Sequence, residues 1–176
     1  VQQHLPVLVL LHGFPQTHVM WHGLADALSH THTVVALDLR GYGWSAAPYS
    51  EDGSAYTKRA MADDVIGIME KLGHVRFAVA GHDRGARVGY RLALDNPGRV
   101  EKLALLDIIP TSEAWKPIDA GQRPAAHWGF LAQPEPQPED AIKAEGPDIY
   151  FRGLMSKWAQ DEKLKAFDAL AMEAYR

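Results

Sequence analysis

The sequence predicts an α/β fold: a core with a mainly parallel sheet, incomplete in this chain, plus a helical cap. Three observations predict it. Short apolar runs recur at Val7–Leu11, Thr33–Asp38, Phe77–Gly81 and Lys102–Leu106, and the first is unbroken by polar alternation, as in strands covered on both faces. Helical periods fill the gaps between the runs, and strand alternating with helix implies parallel strands joined by right-handed crossovers. Past Pro110 the rhythm stops. Residues 111–176 are rich in proline, hold several amphipathic stretches and show no clear strand. The expected domains are therefore a partial core over 1–110 and a partial helical cap over 111–176.

The elements follow in order. Val7–Leu11 is the first strand, broken by His12-Gly13-Phe14-Pro15. Val19 to Leu28 reads as a short helix, with Trp21, Leu24, Ala25 and Leu28 at helical spacing. Thr33–Asp38 is a second strand, and the glycine-rich stretch from Leu39 to Pro48 is a loop. Ser54 to Leu72 reads as one long helix carrying Met61, Val65, Ile68, Met69 and Leu72, closed by Gly73. Phe77–Gly81 is the third strand. Arg84 to Asp95 is a helix that Asn96-Pro97 ends. The segment Val100 to Ile109 carries the fourth strand.

Composition narrows the function classes. The apolar fraction is 47% and the charged fraction 23%, ordinary for a globular protein. A net charge of −4 leaves no basic surface to attract nucleic acid. Without cysteine there is no disulfide framework, thiol nucleophile or Cys-ligated zinc, which fits a reducing, cytoplasmic setting. No apolar run approaches the roughly 20 residues that cross a bilayer, and no signal peptide is visible. The chain begins at Val1 and enters a strand almost at once, which reads as a segment cut from a longer chain.

The sharpest motif is Gly81-His82-Asp83-Arg84-Gly85, between a buried strand and a helix. A nucleophile at a tight strand-to-helix turn needs small residues two positions to either side, because backbone segments crowd there. Gly81 and Gly85 meet that need. Asp83 stands where other such turns carry serine, and a carboxylate can displace a leaving group from saturated carbon to form an ester. The competing reading is an aspartate that merely N-caps the helix. His12-Gly13-Phe14-Pro15 tips the balance. In this kind of site the oxyanion hole takes one N–H from that loop and one from the residue after the nucleophile, here Phe14 and Arg84, each donor contributing about 3 kcal/mol.

These two motifs, with Asp38-Leu39-Arg40-Gly41-Tyr42-Gly43-Trp44-Ser45, resemble the epoxide hydrolase and haloalkane dehalogenase branch of the α/β-hydrolases. Asp83-Arg84-Gly85-Ala86-Arg87-Val88-Gly89-Tyr90-Arg91 and His127-Trp128 are similar to the fluoroacetate (haloacetate) dehalogenases in particular. Arg84 and Arg87 would occupy the first turn of their helix, where the macrodipole disfavours cations by about 0.3–1 kcal/mol each. Two arginines there suggest an anionic partner, and a guanidinium grips a carboxylate by paired hydrogen bonds. The resemblance gives them the carboxylate of a 2-halo acid. Arg91 is read as structural.

Asp107 follows Leu105-Leu106 at the carboxyl end of a strand, where open α/β sheets carry their chemistry. It matches the acid that orients a catalytic histidine; a turn-capping aspartate is the alternative. The resemblance implies that His127 and Trp128 stabilise the departing halide with a tyrosine, for which Tyr150 is a weak candidate. Without the resemblance, an aromatic patch closing the cap is preferred.

The general base is missing from this reading. A histidine positioned by Asp107 should come late in the chain, yet the only histidine after Asp107 is His127. His12 and His82 read as scaffold residues. The chain is thus expected to lack its first strands and the last third of the fold. An exposed sheet edge, low stability and aggregation are the expected consequences. Such a chain would alkylate once at Asp83 and not turn over. The resemblance implies a small halo-acid substrate; no metal or organic cofactor is expected, since the nucleophile and water suffice, charge and hydropathy argue against nucleic acid and membrane, and a full-length parent has room for a homodimer. Two alternatives stand beside it: an epoxide hydrolase, disfavoured by the arginine pair, and a small-molecule receptor without turnover. An esterase fits less well, since the turn carries Asp where acyl transfer uses Ser.

Overall fold

A computed structural model of the chain describes residues 5–121, 126–159 and 163–175. The first four residues, which bear on the expectation of a cut start, lie outside them. The chain forms two compact units, the first running to Ile108 and taking in Tyr175, the second from Ile109 to Ala174.

The first unit is built on four strands, β1 (Val7–Leu11), β2 (Thr33–Leu37), β3 (Phe77–His82) and β4 (Val100–Leu106), in the order β2-β1-β3-β4. Every neighbouring pair is parallel. The helices α1 (His22–Ser29), α2 (Lys58–Lys71) and α3 (Arg84–Asp95) alternate with the strands, as the rhythm of apolar runs requires. Val9, Leu10 and Leu11 are all fully buried, so β1 is covered on both faces and needs no polar alternation.

The core lies between the sheet and two helices. Met61, Val65 and Met69 of α2 and Val88 and Leu92 of α3 recur every four residues, putting each set on one helical face. They meet Val9, Leu11, Phe77 and Val79 from the sheet. Each such side chain contributes about 1.5–3 kcal/mol on burial.

Two helices differ from the sequence expectation. Ser54–Leu72 is not continuous: a 3-10 turn over Ser54–Tyr56 gives way to α2 through Thr57, whose backbone is extended (φ −64°, ψ 153°). The Thr57 hydroxyl accepts from the Ala60 N–H at 3.2 Å, and this cap outweighs the apolar periodicity on either side. Val19–Leu28 likewise resolves into a 3-10 turn, His18–Trp21, and α1.

Register places the site. Leu11 of β1 aligns with Gly81 of β3, and Leu106 of β4 aligns with His82. The segments leaving β1, β3 and β4 therefore emerge side by side at the carboxyl edge. The second unit holds α4 (Thr111–Asp119), α5 (Ala126–Leu131), α6 (Gln137–Glu145), α7 (Pro147–Ala159) and α8 (Ala169–Ala174), with no strand among the described residues. No helix among the described residues is long and apolar enough to cross a membrane.

Candidate active site

Asp83 sits at the turn between β3 and α3 with φ 46° and ψ −112°. A non-glycine residue held there is strained, and such strain persists only where surrounding structure enforces it. The enforcement is visible. A Cβ on Gly81 would lie 2.5 Å from the Gly85 carbonyl oxygen, and one on Gly85 would collide with the carbonyls of Leu11 and His12. A Cβ on Gly13 would fall 2.7 Å from both Asp83 Cβ and His82 Nδ1. Three glycines thus let the β1 loop, the turn and α3 close on one another.

Two backbone donors meet one oxygen. The N–H of Phe14 donates to Asp83 Oδ2 at 3.3 Å, and that of Arg84 donates to the same atom at 2.5 Å. These are the two donors the sequence picked out for an oxyanion hole. The other carboxylate oxygen, Oδ1, accepts from neither of these two donors.

His12 braces the loop. It is fully buried; its Nδ1 lies 2.9 Å from the Gly13 carbonyl and its Nε2 accepts the Leu39 N–H at 3.0 Å. A carbonyl can only accept, so Nδ1 carries the proton and the ring is neutral. Burial lowers its pKa, only partly opposed by the Gly13 carbonyl and the Asp38 charge. Asp38 accepts from the N–H groups of His18 and Trp44 at 2.7 and 3.1 Å. Burial pushes its pKa up, but these hydrogen bonds outweigh it and hold the carboxyl below its usual range. This side chain shapes the next loop, a role its motif alone did not disclose.

Positive charge collects around Asp83. Arg87 is 7% exposed, and its burial lowers its pKa. Arg84 lies over the Phe14 ring at 5.9 Å and beside Tyr42, whose pKa burial raises and the Arg84 charge moderates. The Arg84 Nε is buried without a hydrogen-bond partner. Lys58, the first residue of α2, adds a third cation: its ammonium feels Arg84, Arg87 and Asp83 together. Sequence reading missed Lys58, because only the packing of α2 on α3 brings it there. Arg91 instead pairs with Asp95 four residues on.

Asp107 directly follows β4, with φ 56° and its side chain 91% exposed. Its Oδ2 stands 3.9 Å from His82 Nε2. Among the described residues no other histidine comes as near to it, and His82 Nδ1 is buried without a hydrogen-bond partner.

Within the second unit, His127 packs edge-on against Trp158 at 4.8 Å, and Trp128 lies 5.4 Å from Trp115. Tyr150 lies 5.8 Å from Phe130, its hydroxyl buried without a hydrogen-bond partner. These residues form two aromatic groups within their own unit. Among the described residues no group of three or more His, Asp or Glu is placed to hold a metal ion.

Comparison with known proteins agrees with this geometry. The α/β hydrolase fold family matches residues 6–162. The chain is 46% identical over 173 residues to a fluoroacetate dehalogenase from a Burkholderia species, covering 97% of this chain and 56% of that relative. It is 44% identical over 103 residues to a soluble epoxide hydrolase from Corynebacterium sp. strain C12, covering 58% of this chain and 35% of that enzyme. A crystal structure of a candidate α/β hydrolase from Nostoc sp. PCC 7120 superposes with a TM-score of 0.91 at 50% identity, over 98% of this chain and 59% of that one. The chain thus spans 56% and 59% of the fluoroacetate dehalogenase and the Nostoc hydrolase, and 35% of the epoxide hydrolase. A parallel sheet, a strained aspartate turn and a family match over most of the sequence lead to one conclusion: this chain belongs to the α/β-hydrolase fold family and is related to its hydrolases.

Proposed function

We propose that the protein to which this chain belongs is a hydrolytic dehalogenase of 2-halo acids, haloacetates above all, with Asp83 as nucleophile. The observation that carries the reading is the convergence of the Phe14 and Arg84 N–H groups on Asp83 Oδ2, beside an excess of positive charge. In this scheme Oδ1 attacks the carbon bearing the halogen. A C–O bond forms, the carbon–halogen bond breaks, and the halide leaves with its electron pair. Oδ2 remains the carbonyl oxygen of the ester. When water adds to that carbonyl carbon, charge develops on Oδ2, where the two donors already point. Water's oxygen stays on Asp83, glycolate departs with one of the water protons on its hydroxyl, and the other proton passes to a base.

Arg84 and Arg87 would hold the substrate carboxylate, with the unpartnered Arg84 Nε as one donor. Asp107 would orient the histidine base; His127 and Trp128 would serve the halide. Among the described residues His82 is the histidine nearest Asp107, and its place beside Gly13 suits bracing better than delivering water. The chain should therefore accept one carboxymethyl group and stop.

Incubation with chloroacetate, read by intact mass, tests this. One carboxymethyl group per chain is expected, absent from Asp83→Asn. With no cysteine in the chain, thiol alkylation adds no background. Equal uptake by both chains would reject Asp83. A second reading, epoxide hydrolysis, is favoured by the 44% identity to an enzyme of that name and by the partnerless Tyr150 hydroxyl. Under it styrene oxide would esterify Asp83 and chloroacetate would not.

A further inference from the structure

Lys58 differs from the other described lysines in being partly buried, where Lys71, Lys102 and Lys143 are exposed. Arg40, Arg59, Arg76, Arg91, Arg99 and Lys116 each pair with a carboxylate. Among the described residues Lys58 makes no such pair. It is partly buried and stands in the first turn of α2, just after the Thr57 cap. Helix α2 packs on α3, whose own first turn carries Arg84 and Arg87. Two helix N-termini therefore bring positive dipole ends and three cations to one region, and Asp83 is the carboxylate that acts on Lys58 there. The dipole and both arginines disfavour a cation there, and Asp83 only partly offsets them. The charges facing Lys58 are Arg84 and Arg87 from α3 and Asp83 at its cap. Nearby, Arg40 is engaged by Asp64, and the Tyr56 hydroxyl donates to the Pro48 carbonyl.

From this placement we propose that Lys58 is a specificity-determining residue for the anionic substrate: a third cation that selects acids over neutral analogues through its charge. The inference rests on the Asp83 reading above. A bound carboxylate adds a negative charge beside Lys58, which pairs with none among the described residues. Displacement then moves one charge from Asp83 to the halide, leaving the total unchanged, so Lys58 serves binding more than the displacement step. Its charge is also conditional. Burial, then Arg84 and Arg87, lower its pKa from 10.5 to about 8. The ammonium is present below that pH and is lost as pH rises through it, so acid selectivity should fade on the alkaline side.

The test follows carboxymethylation of Asp83 in this chain by intact mass, over a range of chloroacetate concentrations, at pH values from about 6.5 to 9.5 to span the Lys58 transition. Wild type, Lys58→Gln and Lys58→Arg are compared, with neutral chloroacetamide as control. At pH 7, Lys58→Gln should raise the half-saturating chloroacetate about fivefold or more, with little change in limiting rate and none toward chloroacetamide. The wild-type value should rise across pH 8, stay flat in Lys58→Gln, and remain low throughout in Lys58→Arg. A Lys58→Gln chain that matches wild type, or loses chloroacetamide reactivity equally, overturns the assignment while leaving Asp83 standing. No carboxymethylation of wild type at all overturns both.

Discussion

A partly buried lysine between two arginines destabilises the chain that holds it. The folded pKa of Lys58, about 8, lies below its ordinary 10.5, so between these values the unfolded chain binds a proton that the folded chain does not. Stability should therefore rise with pH across that window, and the penalty is fully present below pH 8. At about 1.4 kcal/mol per pKa unit, Lys58→Met should stabilise the chain at pH 7 by about 1–3 kcal/mol and abolish the alkaline gain. Thermal melts at pH 7 and pH 10 check both, and a destabilised Lys58→Met would show that the stem packing matters more than the charge. Stability gained by removing a functional group is the usual trade at a binding site. No local signal marks Lys58, because its partners are on α3 and the spacing of residues 54–72 speaks only of helix. Asp83 was legible for the opposite reason. Its glycines, its strand and its helix are neighbours in sequence, and the strain they impose is local. The place of Asp107 after a strand was readable in the sequence, while its positive φ was not. The histidine expected to act with it was not to be found in the sequence.

At the scale of elements, the four strands and α3 could be read because each is a contiguous apolar or amphipathic run. The split of residues 54–72 could not, because apolar periodicity continues through Thr57 while the backbone does not. Glycines sort by what their missing side chain would meet. Gly67 lies inside α2, and a methyl added there would meet nothing within 4 Å, so Gly67→Ala should stabilise by about 0.5–1 kcal/mol. Gly81→Ala drives a methyl to 2.5 Å from the Gly85 carbonyl. It should displace α3 from β3, lower stability by more than about 2 kcal/mol and abolish carboxymethylation. Urea unfolding of the pair separates them, and similar midpoints would refute the crowding argument. His12→Ala should act through β1 instead. It leaves the buried Leu39 N–H without its acceptor and opens a cavity, together about 2–4 kcal/mol. Because folded His12 resists protonation, its contribution should also weaken as pH falls below its ordinary 6.5.

For the whole molecule the decisive feature is the edge of the sheet. The order β2-β1-β3-β4 leaves β4 paired on one side only among the described residues. An edge strand whose free N–H and C=O groups face solvent is a template for pairing with another chain. In β4 that edge carries Leu103, Leu105 and Leu106, each more than a third exposed, so apolar side chains and unpaired backbone are presented together. The apolar run Lys102–Leu106 marked this segment as a strand but gave no sign of its exposure, since order within a sheet depends on partners far apart in the chain. Self-association through β4 follows from this combination, and it should depend on concentration. Natural edges are blunted by a charged side chain, lysine above all. Leu105, 44% exposed, accepts one with little loss of burial, whereas Leu103 approaches Gly89 of α3 and would forfeit packing. Leu105→Lys should thus reduce light scattering on incubation at high protein concentration while leaving far-ultraviolet circular dichroism and Asp83 carboxymethylation unchanged. Scattering equal to wild type would place the sticky surface elsewhere, and loss of the folded spectrum would mean that Leu105 holds the sheet together in a way its exposure does not suggest.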